Sequence, residues 1–332
     1  LPWFHDYGLV HGLLAPAFTG ATSYLMSTQQ FLLRPLRWLE AIALHGIGYS
    51  GAPDFAYEAC VNALARSPDW NFRLDQWKLA TCGAEPIRPN TLRRFCDAFS
   101  RFGFKPEAFA PSYGLAEAVV AVSLGNSTGA PKTLLVDRQL MEKRQVQEVQ
   151  DTAEGALELV GCGRVLPGME VRIVHPESRL PCTANEVGEI WVRGPWVGDG
   201  YWNQPAASTE KFAALIDGPG AADPFLRTGD LGFFKGGELF VTGRYSDLII
   251  VHGRNIHPQD LEETALTTSE WVRPKGVIAC PVEHAGREHV VLLFECRNQL
   301  APGGLGPLQA DLSRAIAEAR EKGDLKENAE YD

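Results

Sequence analysis

The sequence predicts an α/β protein, with a large domain of mostly parallel sheets plus a small β-barrel segment, followed by a truncated small α+β domain. Three observations predict it. Short apolar runs alternate with helix-spaced stretches through the first half, the pattern turns to period two from Met169, and mixed elements resume beyond Arg244. Strands alternating with helices imply parallel pairing.

Phe31–His45 places Leu32, Leu36, Leu39, Ile42 and Ala43 at helical spacing, and a short extended stretch, Ile47–Ser50, follows. A second helix is predicted over Phe55–Leu64. A strand over Trp77–Thr81 ends in the turn Cys82–Pro86. A helix near Thr91–Phe102 precedes a strand at Glu107–Ala110, which ends at Pro111-Ser112-Tyr113-Gly114. Sites in such sheets gather beyond the carboxyl ends of strands, where Gly83–Pro86 and Ser112–Glu117 both fall. Met169–Val174 and Gly188–Arg193 alternate polar and apolar residues across a turn-rich stretch, which predicts a hairpin. Glu238–Thr242 and Leu248–Val251 are expected to pair across Gly243–Asp247. After Pro258 come a helix (Gln259–Thr267), strands at Gly276–Cys280 and Val290–Cys296, and a helix beginning near Leu308. The domains are set at 1–243, 244–319 and a foreign-looking tail at 320–332.

Hydrophobic residues make up 45% and charged residues 22% of the 332, ordinary usage for a globular chain. The net charge of -10 argues against a nucleic-acid surface, which needs a basic stripe, but not against a local nucleotide pocket. Seven scattered cysteines without a C-x-x-C pair argue against a disulfide framework or zinc site and for reduced thiols in the cytoplasm. No apolar run reaches the length of a membrane span, and no signal peptide opens the chain. Leu1 opens inside a motif, so a longer parent is expected.

Four short motifs occur in order: Leu1-Pro-Trp-Phe-His-Asp-Tyr-Gly8, Ser112-Tyr-Gly-Leu-Ala-Glu117, Tyr201 to Asp230 ending Arg227-Thr-Gly-Asp230, and Gly243-Arg-Tyr-Ser-Asp247. Each alone is weak. Together they resemble the core motifs of the adenylate-forming superfamily, which holds acyl-CoA synthetases, peptide-synthetase adenylation domains, luciferases and fatty acyl-AMP ligases. The resemblance implies attack of a carboxylate on the α-phosphate of ATP, with Mg²⁺, giving acyl-AMP and pyrophosphate. A flat aromatic at a strand end suits the purine, so Tyr113, beside Ser112 and Gly114, is the candidate plate, with a core tyrosine as the bland alternative. The resemblance places the turn Gly83-Ala84-Glu85-Pro86 against the nucleotide, largely through backbone groups. Glu117 offers a hard oxygen for Mg²⁺, against a plain helix-start charge. Asp230, acceptor-only, suits the ribose hydroxyls, against a turn-capping aspartate. Arg244 offers a fixed planar charge for ribose or phosphate, against a surface ion pair. In the relatives a histidine at the position of His5 lies near the acyl entrance; a structural histidine is the alternative.

Three features resemble the fatty acyl-AMP branch. His5-Asp6-Tyr7-Gly8-Leu9 is similar to its His-Asp-Met-Gly-Leu signature. Gly253-Arg-Asn-Ile-His-Pro-Gln-Asp-Leu-Glu262 is similar to a second signature, with His257 in the tyrosine place. The long stretch between Glu117 and Gly161, Thr133–Thr152 included, matches in place an insertion that in the family restrains domain movement and disfavours CoA; a long surface loop is the alternative. The implied substrate is a fatty acid, and the implied acceptor an acyl carrier protein or a carrier domain of a polyketide or peptide synthase. The domain pivot is expected near Ser246. The family's phosphate loop is expected before Leu1, and its C-terminal lysine well after Cys296. Neither stands in this sequence, so the chain as given is expected to release little pyrophosphate from ATP and a fatty acid. Finally, Ala317–Asp332 resembles the coiled-coil tip of Gre-type transcript-cleavage factors, whose two acidic tip residues match Asp324 and Glu327. Competing readings are an acyl-CoA synthetase or peptide-synthetase adenylation domain, and a non-catalytic nucleotide-binding fragment or fusion.

Overall fold

The computed structural model describes residues 1–67, 69–125, 129–150, 156–217, 223–251, 254–269, 271–284, 287–296 and 305–321. Asp324, Glu327, Gly253 and the end of Thr133–Thr152 lie outside them. In chain order the first elements are α1 (Asp6–Leu9), a π turn (Val10–Leu14), α2 (Ala15–Thr19), α3 (Thr28–Leu33), α4 (Leu36–His45), β1 (Tyr49–Ala52), α5 (Asp54–Leu64), β2 (Leu79–Cys82), α6 (Pro89–Phe99), β3 (Phe109–Tyr113) and β4 (Ser123–Leu124). There follow β5 (Thr133–Asp137), α7 (Arg138–Glu142), β6 (Ala156–Val160), β7 (Arg164–Val165), β8 (Glu170–Val174), β9 (Gly188–Arg193), α8 (Pro205–Phe212), β10 (Leu226–Lys235) and β11 (Glu238–Arg244). The last are β12 (Ile249–Val251), β13 (Arg254–Ile256), α9 (Pro258–Thr268), β14 (Val272–His284), β15 (Arg287–Cys296) and α10 (Leu305–Glu321).

The α/β class holds, and the chain folds as two compact units, 1–134 with 158–242 and 135–157 with 243 onward. In the first, a five-stranded sheet runs β1-β2-β3-β4-β7. Its parallel part is β1-β2-β3, whereas β4 and β7 join antiparallel. Leu39, Ile42, Tyr57, Cys60, Trp77, Phe95, Phe99 and Phe109 form its core. Each such side chain, fully buried, contributes roughly 1.5–3 kcal/mol. The period-two region is a four-stranded antiparallel sheet, β11-β10-β9-β8, and the expected hairpin of β8 with β9 is in it.

Local chemistry explains where the structure departs from expectation. The helix expected over Phe31–His45 is two. The first, α3, opens with a Ser27–Gln30 capping box and closes at Arg34, and α4 starts behind Pro35, which has no N–H to continue a helix. The strand expected at Glu107–Ala110 starts instead at Phe109, after a 3-10 turn opened by Pro106. Glu238–Thr242 does not pair with Leu248–Val251. Gly236 and Gly237, with φ of 59° and 79°, close a tight hairpin that joins β11 to β10, while β12 pairs with β13.

In the second unit, β14 and β15 form a long antiparallel ribbon. Leu308 and Leu312 of α10 bury against Ala265, Val272 and Val277. Segment 135–157, placed by sequence in the large domain, packs within this unit. Arg138 reaches Asp260 at 3.2 Å, and the Arg144 guanidinium lies 5.7 Å over the Tyr245 ring. No helix among the described residues is long and apolar enough to cross a membrane.

Candidate functional site

Because β2 and β3 are adjacent parallel strands, the turn Gly83–Pro86 that follows β2 starts beside Ser112, near the end of β3. A Cβ on Gly83 would stand 2.7 Å from Ser112 Oγ and 2.8 Å from the Ser112 carbonyl oxygen, so only glycine allows this approach. Ala84 turns the chain with a left-handed φ of 67°. The Glu85 carboxylate accepts the Phe55 amide at 2.6 Å, which satisfies a free N–H in the first turn of α5. Asp54 returns the exchange. Wholly buried, it accepts the Arg88 amide at 3.1 Å and the Thr91 hydroxyl at 3.0 Å at the start of α6. Burial pushes its carboxyl up to about 6, against the opposing pull of those hydrogen bonds and of the Arg88 charge.

Tyr113, at the end of β3, donates its hydroxyl proton to Asp230 Oδ2 at 2.8 Å. Both residues are buried, at 8% and 7% exposure. Asp230 sits where the pairing of β10 with β9 shifts register between Arg227 and Leu231. That irregularity is held from beneath. Buried Glu189 accepts from Arg227 Nη2 at 2.7 Å and from the Gly229 amide at 3.1 Å, and the Arg227 guanidinium lies 5.4 Å over the Trp191 ring. The Thr228 hydroxyl donates to the Ile190 carbonyl at 2.7 Å and accepts the Asp230 amide at 3.0 Å. Glu189 was missed by sequence reasoning. Its signal was an acid beside the apolar run Ile190–Val192 of β9.

Glu117 lies in the 3-10 turn Ala116–Ala118, just past Tyr113. Its Oε1 accepts the Tyr201 hydroxyl at 2.6 Å, and its carbonyl accepts the Gly198 amide at 2.8 Å. Partial burial, and then the Glu117 hydrogen bond and charge, push the Tyr201 phenol up to about 12. No group of three or more His, Cys, Asp or Glu that could hold a metal occurs among the described residues. A single carboxylate still fits Mg²⁺, which is commonly bound through one or two carboxylates together with substrate phosphates.

The structure therefore brings Gly83–Pro86, Ser112, Tyr113, Gly114, Glu117 and Asp230 together within the first unit, through adjacent strand ends and the Tyr113–Asp230 bond. His5 is not joined to them. Its Nδ1 accepts the Tyr7 amide at 3.2 Å, which caps α1, so its position has a structural reason. The opening motif reaches the sheet through Tyr7 instead, whose buried hydroxyl meets the Thr81 hydroxyl and carbonyl beside Cys82. Arg244 stands at the exposed end of β11 and belongs to the second unit.

The described geometry combines a buried aromatic, an acceptor-only carboxylate bonded to it and a second carboxylate nearby, a set suited to a ribonucleotide and its cation. The profile of the AMP-binding enzyme family matches residues 1–202, and that of the N-terminal part of transcription elongation factors matches residues 309–332. The medium-chain-fatty-acid–[acyl-carrier-protein] ligase JamA of Moorena producens is 39% identical over 297 residues, 89% of this chain and 50% of that protein. The 4-hydroxyphenylalkanoate adenylyltransferase of Mycobacterium tuberculosis is 40% identical over 298 residues, 89% of this chain and 47% of that protein. The chain thus spans about half the length of these curated relatives. Among solved structures, the fatty acyl-adenylate ligase of Legionella pneumophila in complex with acyl adenylate and pyrophosphate matches at TM-score 0.72 and 36% identity, covering 97% of this chain and 56% of that one. A structure from work on the fatty acyl-adenylate ligases of E. coli and L. pneumophila matches at TM-score 0.83 and 33% identity, covering 97% and 55%.

Proposed function

The chain belongs to the AMP-binding enzyme family, and from that premise we propose that it carries the nucleotide site of an enzyme that converts a fatty acid and ATP to acyl-AMP and pyrophosphate. A fatty-acid carboxylate oxygen attacks the α-phosphorus of ATP, a new P–O bond forms, and the bond to pyrophosphate breaks. Tyr113 lies against adenine, Asp230 accepts from the ribose hydroxyls, and the Gly83–Pro86 backbone borders the base. His5 stands at the acyl entrance. Glu117 would hold Mg²⁺, which would supply neutralisation of the charge that grows on the phosphates. The observation that carries this reading is the Tyr113–Asp230 hydrogen bond, which joins base platform and ribose acceptor across two sheets.

The relatives' own substrates support a fatty acid, since JamA is a medium-chain-fatty-acid ligase and the Legionella protein was solved with acyl adenylate. JamA's acceptor, an acyl carrier protein, supports a carrier as acceptor here. Seven free cysteines support a reducing compartment, the cytoplasm. The match at 309–332 supports reading the end of the chain as a Gre-like addition, joined within a helix whose Leu308 and Leu312 still serve the second unit.

Calorimetry with a non-hydrolysable fatty acyl-adenylate analogue tests the reading. Binding at least about tenfold tighter than that of an aminoacyl-adenylate analogue is expected. Equal affinity, or no binding of either, contradicts it.

A further inference from the structure

We propose that Tyr201 is a positioning residue for the cation: its phenol holds one oxygen of Glu117 so that the other is presented to magnesium. This rests on the reading of Glu117 given above.

The contact is short and directional, with the hydroxyl donating to Oε1 at 2.6 Å. Among the described residues, Glu117 has no other side-chain partner. The chemistry of that partner matters. An arginine or lysine would also fix the carboxylate, but it would cancel the negative charge a divalent ion needs. A neutral phenol fixes the side chain and leaves the charge intact.

Tyr201 is itself held from two sides. Its amide donates to Ser208 Oγ at 2.8 Å, and its ring meets Phe212 edge-on at 5.1 Å. Both partners lie on α8. Gly200 makes the approach possible, because a Cβ there would stand 2.7 Å from Ser208 Oγ. The strand exit before Tyr201 is also tied to the Glu117 turn. The Gly198 amide donates to the Glu117 carbonyl at 2.8 Å, and Trp196 Nε1 donates to the Ala121 carbonyl at 3.0 Å. Backbone and side chain of Glu117 are therefore fixed by one loop. This gives a reason for the tyrosine that opens the motif closed by Asp230.

The test is calorimetric titration of ATP into the whole chain at stepped Mg²⁺ concentrations, for the parent, Tyr201→Phe and Glu117→Gln. Loss of a hydrogen bond to a charged group corresponds to about a tenfold change. Tyr201→Phe keeps the ring against Phe212, so its thermal midpoint and its metal-free ATP affinity should match the parent. Its half-saturating Mg²⁺ concentration should rise about tenfold. Ser208→Ala, which frees the tyrosine backbone without touching the phenol, should raise it by less. An unchanged half-point in Tyr201→Phe while Glu117→Gln shifts overturns the role of Tyr201 and leaves the site reading standing. No shift in either variant, or no magnesium dependence in the parent, overturns the assignment of Glu117 and this inference with it.

Discussion

Asp54 shows how a single buried group can report on the site without touching a ligand. Its folded carboxyl titrates at about 6 against an ordinary value of 3.8, because burial disfavours the charge. The folded state thus holds the proton more tightly than the unfolded state. The stabilising protonated form is fully present below about pH 4, and the benefit is lost as pH rises to about 6. Two units correspond to about 3 kcal/mol. Asp54→Asn cannot titrate, so urea unfolding should show the variant gaining on the parent by up to about 3 kcal/mol between pH 4 and pH 7. A difference that does not change with pH would contradict this assignment. Residues of this kind were hard to read in the sequence. Tyr113, Glu117 and Asp230 stood out because motif and chemistry agreed. Asp54 and Glu189 did not, and Tyr201 stood only as the opening of a motif, because their value comes from partners 37, 38 and 84 positions away.

Among the elements, the strand ends matter most. The turn after β2 passes close against the end of β3, and Gly83 allows that approach. Gly83→Ala puts a methyl carbon against the Ser112 backbone, which cannot yield as a flexible side chain would. A loss of about 1–3 kcal/mol in urea unfolding is expected, together with weaker AMP binding. Unchanged stability and affinity would show that the turns are set by something else. Helices α5 and α6 were legible from their spacing, and β8 and β9 from their alternation. β10 was missed as a strand because its residues were read only as the Thr-Gly-Asp motif. The Gly236–Gly237 turn that pairs it with β11 was missed with it. Pro35 and Pro106 moved element boundaries by local rules that the apolar pattern had outweighed.

At the scale of the whole molecule, burial divides the thiols into two kinds. Cys60, Cys82 and Cys162 are buried in the first, and burial pushes all three thiols up, Cys162 to about 12. Cys96 and Cys182 in the first, and Cys280 and Cys296 in the second, are half-buried. Mass-spectrometric labelling at neutral pH should spare Cys60, Cys82 and Cys162 in the native chain and reach them only in urea. Native labelling of any of the three would contradict the packing described. The α/β class was legible from the alternation of strands and helices. The placement of 135–157 within the second unit was not, because it depends on pairs such as Arg138 with Asp260 that are distant in sequence.

If Tyr113 and Asp230 together grip one nucleotide, calorimetric titration of AMP will separate the parent chain from Asp230→Asn. The near-isosteric amide keeps the fold but loses the charged acceptor, so affinity should fall about tenfold to a hundredfold. Equal binding by the two proteins, or none by the parent, would contradict it.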